Sequence, residues 1–344
     1  MKAKQHLGTS IIVVCGLFAL ILDSKVALQG AREGISLCIQ TVIPSLFPFF
    51  VLSAIMNKML MGVSPPVLRP IAAICGVPRG AESILLLGFL GGYPVGAKCI
   101  YEAYSEKNLS VADAKRLLGF CSNAGPAFIF GMGGFLFTKQ VTLWILWVIH
   151  IVSAIMVGCL LPNKQHSSGC IKSCEKITIS DAFERSIKNI AAVCGWVVIF
   201  RVIISFLQHW FLWLLPMQSQ PLISGILELS NGFCSLSCIN NEQLRFYVSA
   251  FILGFGSLCV AMQTVSVTKD LGTGMYFPGK ILQGCISLML SILLGPVLFN
   301  QRKYKSIEVY LILLCFIICA AMLYFLYQKL NKKKSSRNLI PDYV

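Results

Sequence analysis

The sequence predicts an all-α polytopic membrane protein, with about eight transmembrane helices and two re-entrant hairpins made of broken helix. Three observations support this fold class. Hydrophobic residues make up 56% of the 344 residues and charged residues only 12%, whereas a soluble domain carries roughly 25% charged residues. The apolar runs are about 20 residues long, which is enough to cross roughly 30 Å of hydrocarbon. Two further apolar segments are interrupted by glycine, proline and polar residues.

The N-terminal apolar run has two readings, a signal peptide or a first membrane helix. Its apolar stretch of about 20 residues and the absence of a clear small-residue cleavage site favour an uncleaved helix. The predicted full spans, in order, are 7–28, 35–57, 117–137, 140–161, 187–215, 244–268, 281–299 and 307–328. The two predicted re-entrant hairpins are 66–98 and 218–240.

Membrane topology explains the net charge of +15 better than nucleic-acid binding does. The basic residues are spread over short loops instead of clustering on one face. With both termini in the cytoplasm, the cytoplasmic loops, including a loop that contains Lys280, hold about three times as many basic residues as the outer loops. Arg201 falls inside a predicted span. We therefore expect an integral, multi-pass protein with both termini cytoplasmic.

Neither a cofactor nor an enzymatic activity is predicted. Most of the 15 cysteines lie in apolar runs, where cysteine acts as a small packing residue. The group His166, Cys170 and Cys174 lacks a fourth ligand and the usual zinc spacing, so no metal is expected. The sequence contains neither the G-x-S-x-G motif of hydrolases nor the H-E-x-x-H motif of metallopeptidases.

The two interrupted segments point to a transport function. Residues 84–98 read ILLLGFLGGYPVGAK, and residues 222–236 read LISGILELSNGFCSL. Irregular backbone at membrane depth is tolerated only where it is buried in protein or lines a watery cavity. Paired interruptions in the two halves of a chain indicate the substrate site of a transporter. In the predicted topology, the order helix, hairpin, helix recurs in the second half with opposite orientation, which predicts an inverted repeat.

Specific motifs accompany these segments, namely GGYPVGAK at 91–98, AKRLL at 114–118, CSNAGPAF at 121–128, ELSNG at 228–232 and LGFGSL at 253–258. Together with Gln263 they resemble the sporulation integral membrane protein family of the YlbJ/SpoVV type, over roughly residues 30–330. The resemblance implies nucleoside-recognition (Gate) domains. It also implies a role in endospore formation, in which dipicolinic acid leaves the mother cell across the outer forespore membrane. Ser257 and Ala261 depart from the family pattern and leave the substrate open.

The predicted organisation follows from the spans and the resemblance. Residues 1–29 form an N-terminal transmembrane helix. Residues 30–161 form a first Gate-like repeat plus one extra helix, and a cytoplasmic linker, 162–186, follows it. Residues 187–328 form a second, inverted Gate-like repeat plus extra helices, and residues 329–344 form a basic cytoplasmic tail.

A site for a flat aromatic dicarboxylate needs hydrogen-bond donors or positive charge, and broken-helix N-termini supply free N–H groups. We expect glycines that shape the loop, Tyr93 as ring platform or donor, and Lys98 and Arg201 as cations. Packing glycines, an interfacial Lys98 and an Arg201–Glu228 ion pair are the alternatives. The candidate substrate-binding residues are Gly91, Gly92, Tyr93, Gly96, Lys98, Ser122, Asn123, Arg201, Glu228, Ser230, Asn231 and Gln263.

The predicted function is a membrane transporter or facilitator of a small anionic metabolite in sporulation, with dipicolinate as the first choice. A nucleoside or nucleobase transporter is one alternative, since Glu228 and Asn231 suit ribose hydroxyls. A non-transporting scaffold of a sporulation membrane complex is the other. The predicted partners are the small-molecule substrate and the lipid bilayer, without nucleic acid; a homo-oligomer and sporulation membrane partners stay open. Glu228 is a candidate for carrying a coupling proton or binding a cation.

Overall fold

The computed structural model describes residues 2–60, 62–162 and 178–299, and these ranges are helical without any β-strand. The all-α prediction is therefore confirmed for the described part of the chain. The predicted span 307–328 and the basic tail lie outside the described residues, as does the group of His166, Cys170 and Cys174.

Fifteen α-helices make up the described part of the chain. In chain order they are α1 Lys2–Leu22, α2 Ser24–Leu37, α3 Ile43–Leu60, α4 Arg69–Ile74, α5 Glu82–Leu90, α6 Val95–Ser105, α7 Val111–Leu117, α8 Pro126–Gly133, α9 Gln140–Leu160, α10 Ile179–Trp210, α11 Gln220–Leu227, α12 Leu229–Ser235, α13 Glu242–Phe255, α14 Leu258–Thr268 and α15 Tyr276–Phe299. A π-helical turn, Cys38–Val42, joins α2 to α3.

Five helical segments of the described residues are long and apolar enough to cross a membrane. They are Ser24–Asn57, Gln140–Leu160, Ile179–Trp210, Glu242–Leu271 and Tyr276–Phe299. The apolar part of α1, Val13–Leu22, is too short to count among them. The chain is thus a helical, multi-pass membrane protein, and the total of eight spans stays a prediction.

One predicted span is wrong. The segment 117–137 is not a continuous helix, because α7 ends at Leu117 and α8 begins only at Pro126. Apolar composition alone suggested a span here, but the stretch CSNAGP carries turn-forming residues that helices disfavour. The boundary of α10 also differs, since Thr178 caps the helix by accepting a hydrogen bond from the Asp181 N–H, so α10 begins eight residues before 187.

Close helix contacts at glycine hold the long helices together. Gly30 and Gly34 let α2 approach α10, because a Cβ atom at Gly34 would lie 3.0 Å from the Val198 Cα. Gly254 plays the same part where α13 packs on α15. Such close backbone approach is the usual packing mode of membrane helices. The buried side chains form two clusters, one around α5, α6 and α7 and the other around α8, α9, α12 and α13.

Candidate functional site

The helices are interrupted at four places in the middle of the fold. The first interruption, 91–94, separates α5 from α6, and it contains Gly92 with a φ of 75° and a cis peptide bond before Pro94. The second, 118–125, separates α7 from α8. The third is the single residue Glu228, whose extended backbone lies between α11 and α12. The fourth lies between α13 and α14, where Gly256 has a φ of 90°, a conformation that favours glycine.

The first three interruptions line one cavity, which we call the central cleft, and α14, the helix that follows the fourth interruption, lines it too. Tyr93, Gly125 and Glu228 come from the first three interruptions, Ser230 from the first turn of α12, and Val260 and Gln263 from α14. Apolar side chains of Val42, Phe128, Val193 and Val197 complete the wall. The space open to the centre of a water molecule is about 30 Å³, enough for about two water molecules by the usual measure. The cleft is therefore closed to a solute of dipicolinate size in this conformation.

Tyr93 forms one wall of the central cleft and leads to a buried polar network. Its ring lines the cleft, and its hydroxyl donates to the Leu253 carbonyl at 3.4 Å and accepts from the Lys280 amine at 3.2 Å. The Lys280 Nζ atom also lies 5.2 Å from the centre of the Tyr93 ring, within range of a cation–π contact. Lys280 itself does not line the cleft but lies directly behind Tyr93.

Lys280 is the feature that sequence reasoning missed. We assigned it to a cytoplasmic loop, and this is wrong, because it lies in the first turns of α15 and is 1% exposed. Its amine donates to the Asn123 Oδ1 atom at 3.2 Å and to the Gln283 Oε1 atom at 2.7 Å. Among the described residues, no carboxylate forms an ion pair with it. An ionisable residue buried in a membrane helix usually marks a functional position.

A signal for this network was present in the sequence. Lys280, Gln283, Ser287 and Ser291 are spaced by three or four residues, so they share one face of α15, and all four are buried. Polar residues that repeat at helical spacing inside an apolar helix indicate a buried polar face. One of the basic residues that the sequence analysis assigned to loops, Lys280, thus belongs to α15 itself.

The predicted contacts Ser122 and Asn123 lie in the second interruption, behind the cleft. The Asn123 amide links the network, since its Oδ1 accepts from Lys280 and, at 2.9 Å, from the Gln283 amide. The Ser122 hydroxyl is buried and has no hydrogen-bond partner among the described residues. His150 accepts at Nε2 from the Ala124 N–H at 3.0 Å, as expected for a hydrogen-bonded packing residue.

The second broken segment places Glu228 at the cleft, but in a capping role. Its carboxylate accepts from the N–H groups of Ser230 at 3.0 Å and Asn231 at 2.7 Å, and from the Asn231 amide at 2.7 Å. Glu228 therefore neutralises the positive end of α12. Gln263 also lines the cleft, and its amide donates to the Cys259 sulfur at 3.4 Å.

Arg201 does not join the central cleft. Its guanidinium forms an ion pair with Glu33 of α2 and a hydrogen bond with Gln208. The alternative of an Arg201–Glu228 pair is therefore wrong. The reason is geometric, because Glu33 and Arg201 meet at the glycine contact between α2 and α10, which the sequence alone did not reveal.

The chain is similar to a curated protein, the sporulation integral membrane protein YlbJ of Bacillus subtilis (strain 168), with 25% identity over 84% of each chain. No protein-family model matches the chain, and no solved structure matches it either. The chain is a relative of the YlbJ-type sporulation membrane proteins. The resemblance drawn from the motifs is thus confirmed, whereas the Gate domains stay a prediction.

The YlbJ-like motif GGYPVGAK combines packing and site-forming glycines. A Cβ atom at Gly96 would lie 1.8 Å from the Cys121 carbonyl oxygen, so this glycine is required for backbone contact. Gly91 is close to Leu87 and Val95 within its own hairpin. Gly92 packs on Gly125 at the cleft, and its φ of 75° shapes the turn that carries Tyr93. For Gly96 the packing interpretation is correct, and Gly92 supports the loop.

Lys98, at the end of the same YlbJ-like motif, lies in a different cavity. We call this the second cleft, and its polar lining consists of Ser53, Asn57, Lys98, Glu102, Arg185 and Asn189. The Lys98 amine donates to the Asn189 Oδ1 atom at 3.1 Å. Lys98 lies outside the five candidate spans, and burial lowers the pKa of its amine. Of the predicted site residues, Lys98 lines the second cleft, whereas the central cleft is lined by Tyr93, Glu228, Ser230 and Gln263.

The described residues contain no group of three or more His, Cys, Asp or Glu side chains that could hold a metal ion. Within these ranges, the central cleft offers hydrogen-bonding groups, the Glu228 carboxylate and an aromatic wall, and the Lys280 amine lies behind that wall.

Proposed function

We propose that this YlbJ relative is a membrane carrier for a small anionic metabolite, and that dipicolinate is its foremost substrate. The observation that carries the proposal is the meeting of three helix interruptions and α14 at one cleft, with the amine of Lys280 behind its wall and no carboxylate of the described residues paired with it. Interrupted helices in the two halves of a membrane protein are typical of transporter substrate sites. The short helices α5–α6 and α11–α12 are then the two re-entrant hairpins of an inverted repeat.

The charges around the cleft favour an anion. The N-termini of α6, α8 and α14 begin at or next to interruptions, and each helix N-terminus carries partial positive charge. Glu228 already neutralises the N-terminus of α12. A substrate carboxylate would supply the counter-charge that Lys280 lacks, and Val193, Val197 and Phe128 would face an aromatic ring.

The closed cleft requires a movement before a substrate can bind. Because Tyr93 lines the cleft and its hydroxyl contacts Lys280, a displacement of its ring would both enlarge the cavity and bring the amine closer to it. Alternating movement of one repeat against the other is the general mechanism of carriers with inverted repeats. We place both termini in the cytoplasm by the positive-inside rule and, from the resemblance, the protein in the outer forespore membrane.

A nucleoside carrier is the second candidate, and the presence of Glu228 and Gln263 in the cleft wall favours it. The carboxylate of Glu228 is, however, occupied by three hydrogen bonds within α12, which leaves little capacity for ribose hydroxyls. A scaffold without transport needs only a sealed apolar centre, and the buried network around Lys280 argues against it.

Flux measured in vesicles that contain only this protein tests the proposal. We expect uptake of labelled dipicolinate to exceed uptake of uridine, and Lys280→Met to reduce dipicolinate flux about tenfold or more because a buried charge partner is lost. The control is Lys188→Met, since Lys188 is 74% exposed and pairs with Glu184. Uridine flux without dipicolinate flux would establish the nucleoside carrier. If neither solute crossed the membrane, the carrier proposal would fail and the scaffold hypothesis would remain.

A further inference from the structure

The second cleft is basic, polar and separate from the central cleft. Its lining includes the cations Lys98 and Arg185 against one carboxylate, Glu102. That carboxylate is engaged by the Asn57 amide at 2.8 Å. Arg185 is exposed, and its charge interacts with that of Asp181, which lies one turn away on α10 and outside the cleft lining. The cleft therefore carries excess positive charge.

One buried polar atom in this cleft also has no partner. Asn57 is 3% exposed, and its Oδ1 atom forms no hydrogen bond to any described residue. A buried polar atom left unpaired is unfavourable by about 1–3 kcal/mol, so such atoms usually meet water or a ligand. The space open to the centre of a water molecule is about 30 Å³, enough for about two water molecules. Because Oδ1 is an acceptor, its missing partner is a donor such as water, and a water bound there can also donate to a carboxylate held by Lys98 and Arg185.

Two helices line both clefts with one continuous face. On α10, Arg185 and Asn189 line the second cleft, and Val193 and Val197 line the central cleft. These residues are four apart, so they lie on one side of α10 over roughly 18 Å. On α3, Leu46 lines the central cleft.

The same face of α3 continues into the second cleft, and α6 makes the same transition. Phe50, Ser53 and Asn57 follow Leu46 at helical spacing and line the second cleft. Tyr93, just before α6, lines the central cleft, whereas Val95 at its start lines the second. Phe50 and Val95 are both buried, and by register they are the second-cleft residues nearest to the central cleft.

We infer that the second cleft is an anion-recruiting site for the carboxylate group of the substrate, and that Phe50 and Val95 form the barrier between this site and the central cleft. The inference rests on the proposed function and deepens it. Lys98 and Arg185 attract the anion and hold its carboxylate, and the faces of α3 and α10 lead from there to Tyr93. In the predicted topology, this cleft lies at the cytoplasmic end of the carrier.

The test combines initial rates from each side of oriented vesicles with binding of dipicolinate to the detergent-solubilised full chain. Lys98→Gln and Arg185→Gln should each raise the apparent KM about three- to tenfold from the cytoplasmic side only, since each removes a charged hydrogen-bond donor. The maximal flux should not change. Lys98→Arg should restore the KM, and Lys188→Gln, one turn away on α10 but outside the cleft, should leave it at the wild-type value.

Calorimetry separates this inference from the proposed function. The expected result is a dipicolinate site that disappears in the Lys98→Gln/Arg185→Gln double variant and persists in Lys280→Met. Wild-type flux with an unchanged KM in both charge variants would overturn the recruiting site while the carrier stands. Binding that survives the double variant would overturn it too, even if no flux were found. Phe50→Ala should speed exchange several-fold, and an unchanged rate would remove Phe50 from the barrier.

Discussion

The two short-helix hairpins of this protein have similar backbones and opposite electrostatics. In α5–α6, Gly88 and Gly96 meet where the arms cross, and in α11–α12 Gly225 and Gly232 do the same, with a Cβ atom at Gly232 only 2.2 Å from the Gly225 Cα. The first interruption carries Tyr93 and faces an amine. The third interruption is a single carboxylate, which caps the following helix. The backbone construction is shared, so the side chains at the interruptions decide what each hairpin does.

The glycine contacts test the shared part of this comparison and should give the largest effect. Gly96→Ala and Gly232→Ala each place a methyl group against backbone, which cannot yield as a flexible side chain does. We expect destabilisation of about 3 kcal/mol or more in both hairpins, at the upper end for overpacking. The measurements are the yield of monodisperse protein in detergent and its unfolding midpoint.

Gly195→Ala is the matched control, because a Cβ atom at Gly195 would meet nothing within 4 Å. If Gly96→Ala had normal stability while Gly232→Ala was strongly destabilised, the two hairpins would not be built alike.

Glu228 tests the part that differs. Glu228→Ala removes the acceptor of two backbone N–H groups of α12, so the unfolding free energy should fall by about 1–2 kcal/mol, as for other lost N-caps. Glu228→Gln keeps an acceptor oxygen and should lose less. Chemical denaturation in detergent measures both values. Equal stability of Glu228→Ala and the wild type would contradict the capping role.

Tyr93→Phe should give the smallest effect, and it should fall on transport rather than on stability. The variant keeps the aromatic wall but removes the hydroxyl between Lys280 and the Leu253 carbonyl. A lost hydrogen bond is worth about 1 kcal/mol, so the flux should change several-fold. Flux in vesicles and the unfolding midpoint should be compared in parallel with Asn231→Ala. That variant removes a hydrogen bond to Glu228 in the other hairpin and should change the midpoint more than the flux.

The irregular backbone was predictable because it follows from local residue chemistry. Glycine and proline in 84–98, and the polar run ELSN in the second segment, disfavour continuous helix wherever they occur. The same reasoning applied to CSNAGP would have identified the second interruption, but its flanking apolar residues concealed it. The separation of Lys98 and Arg201 from the central cleft was not predictable, because their partners, Asn189 and Glu33, are 91 and 168 residues away in sequence.

The sequence by itself determined that this chain is a helical membrane protein, since the length and apolarity of its runs match the bilayer. It also determined the first and third of the four helix interruptions, and its motifs gave the relationship to YlbJ-type proteins. Only the tertiary structure decided that three interruptions and α14 share one cleft, and that Lys280 lies buried behind Tyr93 instead of in a loop. The physical reason is that breaks arise from local backbone preferences, whereas the partners of a buried charge are supplied by helices that are distant in sequence and meet only in the folded protein.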